Sequence, residues 1–85
     1  MDLHEITRRA SSLPQQFADR VPPQTRESIE LMNEGGEYGE LTIELAASLA
    51  AHQVPVTAAE RDELRALLEA MDMPVDPIAK LNVQG

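Results

Sequence analysis

The sequence predicts an all-α fold, a small antiparallel bundle of three main helices with one or two short helices beside them. Three observations predict it. Apolar residues recur at helical spacing wherever a segment is long enough to show a period. Proline and glycine stand where helices should start and stop. No stretch alternates long enough to require a sheet. A chain of 85 residues is expected to form one domain over 1–85, with 82–85 as a loose tail. Its core must be aliphatic, because Phe17 and Tyr38 are the only aromatic residues.

Leu3, Ile6, Ala10 and Leu13 are spaced by three, four and three, which puts them on one side of a first short helix ending before Pro14. A further turn between Pro14 and Val21 is expected to bury Phe17. Pro22-Pro23 then opens a second helix over Pro23 to Glu34, with Thr25, Ile29 and Met32 inward and Gly35-Gly36 as a left-handed stop. From Glu37 to about His52, Tyr38, Leu41, Leu45 and Leu49 form an apolar stripe broadened by Ala46. Thr57-Ala58-Ala59-Glu60 is a capping-box pattern, and it opens a helix running to about Met71 with Leu64, Leu67, Leu68 and Met71 inward. The prolines at 74 and 77 end that helix, after which Ile78 and Leu81 dock a last short turn.

Charge excludes more functions than it suggests. Seven Lys and Arg against 15 Asp and Glu leave a net charge of −8, which repels nucleic-acid phosphates. With no cysteine there is no disulfide framework, thiolate metal site or cysteine nucleophile, a composition that suits the cytoplasm. The opening residues place acids before Arg8-Arg9 and lack the apolar segment of a secretory signal. No run approaches the roughly 18 apolar residues of a membrane span. At 42% hydrophobic residues the chain is too apolar for a disordered segment.

Candidate chemistry is sparse. His4 and His52 belong to no metal-binding spacing, and His52 near a helix C-terminus suits bonding to the last carbonyls. Serines 11, 12, 28 and 48 lack a nucleophile-elbow context. Gly35-Gly36-Glu37-Tyr38-Gly39 lacks the lysine of a phosphate loop, and its acidic flanks repel phosphate. Paired carboxylates need a cleft to separate their pKa values, and a bundle of this size has little room for one. The expectation is a protein without catalysis, metal or cofactor.

The strongest pattern is electrostatic. No Lys or Arg falls between Arg26 and Arg61, while Glu27, Glu30, Glu34, Glu37, Glu40, Glu44 and Glu60 all do. Glu40 and Glu44, like charges four apart, oppose their helix by roughly 0.2–0.5 kcal/mol. That stretch is either a solvated face or a docking surface for a basic protein, which would relieve the repulsion. By contrast, Arg61, Asp62, Arg65 and Glu69 interleave both signs on the following helix, with Arg65 and Glu69 spaced to pair. Tyr38, beside two glycines, is placed either to anchor an interface or to complete the core stripe. The candidate binding set is therefore Glu30, Glu34, Glu37, Tyr38, Glu40 and Glu44.

The run Ile29-Glu30-Leu31-Met32-Asn33-Glu34-Gly35-Gly36-Glu37-Tyr38-Gly39-Glu40-Leu41, with Glu44-Leu45, Leu49, Val54-Pro55-Val56-Thr57 and Leu67-Leu68-Glu69-Ala70-Met71, resembles the MafI family of bacterial immunity proteins. The resemblance spans roughly residues 27 to 74. It consists of a short helix ending in a Gly-Glu turn, an acidic and aliphatic helix, and a proline-containing connection to a capped helix. Gly36 and the segment from Pro14 to Pro23 depart from the family pattern, and carry-over stops at Gly35, Glu37 and Glu40. The resemblance implies a cytoplasmic antidote that binds and neutralises a cognate polymorphic toxin domain. Many intracellular toxin domains are basic because they act on nucleic acid, and an acidic antidote suits such a partner, for instance a nuclease. The rival expectation is a non-catalytic helical adaptor or regulatory subunit that binds its partner through an apolar groove.

Overall fold

The computed structural model describes residues 1–84 and shows a mainly helical chain. Helix α1 spans Leu3–Ser11 and α2 Leu13–Gln16, followed by a 3-10 turn over Ala18–Arg20. The long helices are α3, Pro23–Glu34, α4, Tyr38–Ala51, and α5, Ala58–Ala70. A second 3-10 turn covers Asp76–Lys80. Two short strands, β1 at Pro55–Val56 and β2 at Asn82–Val83, pair in parallel. No helix among the described residues is long and apolar enough to cross a membrane.

Local chemistry explains the ends of α1. The Asp2 carboxylate accepts from the Glu5 N–H at 2.8 Å, and Glu5 and Arg8-Arg9 sit at the ends that the helix dipole favours. At the other end Ser11 and Ser12 donate to the carbonyls of Arg8 and Arg9. Pro14 falls in the first turn of α2, where its missing donor is not needed. Ile6, Ala10 and Leu13 are buried as expected, whereas Leu3 is 76% exposed and corrects the expected stripe. Leu3 is the first helical residue, and no neighbouring element covers it.

Phe17, 1% exposed, lies under the Arg20 guanidinium at 4.4 Å and joins Ile29, Leu41, Leu45, Leu49, Leu64, Leu67 and Leu68 in one core. Thr42 is the buried polar residue of that core, and its hydroxyl donates to the Tyr38 carbonyl. Asn33 Nδ2 donates to the Ser11 carbonyl and holds α3 against the end of α1. The capping box is complete: Thr57 Oγ1 accepts from the Glu60 N–H at 3.0 Å, and Glu60 Oε1 accepts from the Thr57 N–H at 2.9 Å.

All three long helices stop the same way. Glu37 N–H reaches the Met32 carbonyl, Val54 N–H the Leu49 carbonyl and Met73 N–H the Leu68 carbonyl, each with the shorter bond of a Schellman turn inside it. The left-handed residue is Gly36 at φ 72° in α3, as expected, but Gln53 at φ 50° in α4 and Asp72 at φ 57° in α5. These last two are side-chain residues in a region that favours glycine.

The C-terminal segment corrects a second expectation. Residues 82–84 are not a loose tail: Asn82 pairs with Pro55, Val83 pairs with Val56, and Gln84 N–H donates to the Val56 carbonyl at 2.8 Å. Gln53 adds a clasp, donating to the carbonyls of Ala50 and Lys80 while its own carbonyl accepts from Asn82 Nδ2. Ile78 and Leu81 are buried beneath this clasp. Gly85 lies outside the described residues.

Candidate functional site

The distribution of ion pairs divides the surface in two. Arg9 holds Glu5 at 2.6 Å and Glu63 at 3.1 Å, and Arg20 holds Glu60 at 2.6 Å. Arg8 lies 4.0 Å from Glu5, and Arg61 pairs with its neighbour Asp62. Arg26 donates to the Ala18 carbonyl. Four of the 7 cations thus pair with acids of α1 and α5, while Arg26 stands on α3 itself. Among the described residues no ion pair involves Glu27, Glu30, Glu34, Glu37, Glu40 or Glu44. With Arg26 as the one cation on these two helices, the acids of α3 and α4 keep a net negative field.

Glu60 leaves the acidic set expected from the sequence. Its carboxylate receives two bonds from Arg20, 2.8 Å from Nη1 and 2.6 Å from Nη2. The hydrogen bonds from Arg20 hold the Glu60 carboxyl below the usual carboxylate range, against a smaller opposing effect of burial and with help from Thr57. The same bonds raise the Arg20 pKa. The pair expected between Arg65 and Glu69 does not form among the described residues.

The remaining acids occupy different places. Glu34, Glu37 and Glu40 are exposed around the Gly35-Gly36 turn, where α3 ends and α4 begins. Glu37 occupies the N-cap position of α4 without a side-chain capping bond, so its carboxylate is not consumed by the helix end. Glu30 is exposed too, but at about 100° per residue it lies roughly 160° round α3 from Ser28, the side that faces α4. Tyr38 is half-buried at the start of α4. Beside it, Met73 packs over Gly39, where an added Cβ would meet the Met73 Sδ at 3.1 Å.

Glu44 does not point outward as expected. It is half-buried in an open groove of about 430 Å³ between α3 and α4, lined by Gln24, Thr25, Ser28, Glu44, Ala47, Ser48 and His52. Its Oε2 is buried without a hydrogen-bond partner among the described residues. The neighbouring helix supplies this burial: Ser48 Oγ approaches Thr25 Oγ1 at 3.5 Å, bringing the two helices together one turn beyond Glu44. His52 lies with Nδ1 3.0 Å from the Ser48 carbonyl oxygen, the helix-end contact anticipated for it. Comparisons with protein-family models, with curated proteins and with solved structures return no match.

Ala47 is exposed and also lines a second groove on the other flank of α4. That groove measures about 520 Å³ and is bounded by Ala47, Ala50, Ala51, Gln53, Asp76, Pro77 and Lys80. The sequence offered no sign of either groove, because each depends on which helix lies beside α4. No group of three or more metal-ligating side chains gathers among the described residues.

Proposed function

We propose that this chain is an immunity protein of the MafI type that binds and neutralises a basic toxin domain in the cytoplasm, stoichiometrically and without catalysis. One observation carries the reading: among the described residues no ion pair reaches the acids of α3 and α4, while four of the cations pair with acids of α1 and α5. Such a separated field steers an oppositely charged partner and raises its encounter rate. The resemblance over residues 27 to 74 supplies the identity of the partner, and charge supplies the means of capture. In this reading the three long helices form an antiparallel bundle that presents Glu34, Glu37, Tyr38, Glu40 and Glu44 along one side, with Glu30 contributing to the longer-range field.

Co-expression tests it. Toxin domain encoded beside the gene should kill cells alone, spare them when this chain is present, and co-purify with it in equal amounts. Killing that continues at equal expression would overturn the reading. The second groove favours one alternative, a helical adaptor that holds a partner's apolar side chain between Ala50 and Pro77. Binding that is insensitive to salt would select it.

A further inference from the structure

Glu44 is the acid on α4 whose charge is unsatisfied inside the protein. Glu40 projects into solvent, where water completes its hydrogen bonds, but Glu44 Oε2 is buried with no partner among the described residues. A carboxylate held this way gains more from an incoming donor than a hydrated one does.

The surrounding groups select the donor. Thr25, Ser28 and Ser48 bring hydroxyl oxygens and Gln24 an amide to the groove, and no Lys or Arg lines it. An anion would meet Glu44 and be repelled. A metal ion would find one carboxylate and one imidazole, short of a coordination shell. A guanidinium carries five donors in a plane and stays charged at every physiological pH, so it can serve Glu44 and the hydroxyls together.

The rim suits the rest of an arginine. Ala47 lines the groove from α4 and is exposed. It offers apolar surface to an aliphatic stem beside the groove. We propose that the α3–α4 groove is a receptor for an arginine side chain of the partner, with the guanidinium seated on Glu44. The proposal rests on the reading of the partner as basic, and it replaces a general attraction with one identified contact.

Methylguanidinium chloride tests the groove without the partner. Titrated into the full chain at constant ionic strength, it should move the backbone amide signals of Ser28, Ser48 and His52 in a saturable manner. Glu44→Gln should weaken the midpoint at least tenfold, while Glu40→Gln should leave it unchanged. Ala47→Lys, which offers Glu44 a cation three residues along the same helix, should also abolish saturation and raise the thermal midpoint. Signals that drift linearly and equally in wild type and Glu44→Gln overturn the proposal. With the toxin domain, at least a tenfold loss of affinity in Glu44→Gln supports it, and unchanged affinity overturns it while leaving the immunity reading intact. If methylguanidinium seats but the toxin domain does not bind, the groove stands and the immunity reading falls.

Discussion

Arg20 and Glu60 face each other across 40 residues of chain as a two-point ion pair, with both guanidinium Nη atoms on separate carboxylate oxygens. The same Glu60 closes the capping box of α5, and the same Arg20 covers the Phe17 ring. One contact therefore ties the turn before α3, the aromatic residue of the core and the start of α5.

Glu60→Gln separates these roles, because glutamine can still complete a capping box but cannot pair with a cation. The expected cost is about 1–2 kcal/mol, the range for a hydrogen bond to a charged group reduced by partial solvent access. Urea denaturation at neutral pH reads it. An unchanged midpoint would mean that the ion pair contributes nothing to stability.

The same pair predicts a pH window. Folding lowers the Glu60 pKa from its ordinary value of 4.5, so its contribution is fully present above that value. Protonation removes the contribution as pH falls through the lowered folded value. The stability gap between wild type and Glu60→Gln should be constant from pH 6 to 8 and shrink below roughly pH 4.5. A gap that widens in acid would contradict the assigned direction.

Thr57→Ala removes the other half of the capping box and should lower stability by about 1 kcal/mol. Partner binding should change little, because Thr57 does not line the groove between α3 and α4. Equal denaturation midpoints would reject the cap as a stabilising contact.

Asp72 and Gln53 occupy equivalent left-handed positions but should respond in opposite ways to glycine. Asp72 takes φ 57° with no side-chain hydrogen bond formed among the described residues, so Asp72→Gly should stabilise by roughly 0.5–1 kcal/mol. Gln53 also clasps the carbonyls of Ala50 and Lys80, and Gln53→Gly forfeits both bonds. Its midpoint should fall or stay level. A stabilised Gln53→Gly would show that the clasp carries no energy.

Elements whose ends are marked by local chemistry were legible in the sequence. Pro23 and Gly36 bracket α3, and Thr57 with Glu60 starts α5, because proline geometry, glycine's left-handed conformation and a capping box act within a few residues. Features made by distant pairing were not. The sequence groups Glu60 with the free acids because its partner stands 40 residues earlier, and it puts Glu44 on the surface because only the position of α3 buries it. Strands of two residues have no period to read. Gln53 and Asp72 gave no warning of positive φ, since neither is the glycine such a turn prefers. Leu3 shows the reverse case, an apolar residue in register with the core stripe but beyond the reach of any cover.

The unpaired acids of α3 and α4 are best tested by association kinetics with the toxin domain encoded beside the gene. Glu37→Lys with Glu40→Lys reverses two exposed charges and leaves the half-buried Glu44 in place, while Asp62→Lys with Glu69→Lys makes the same change on the exposed side of α5. At 0.1 M salt, where the Debye length is about 10 Å, the first variant should associate at least tenfold more slowly than wild type and the second should stay near it. At 1 M salt, with a Debye length of about 3 Å, the three rates should converge. Equal rates for wild type and the Glu37→Lys, Glu40→Lys variant at 0.1 M salt would contradict capture through the acidic face.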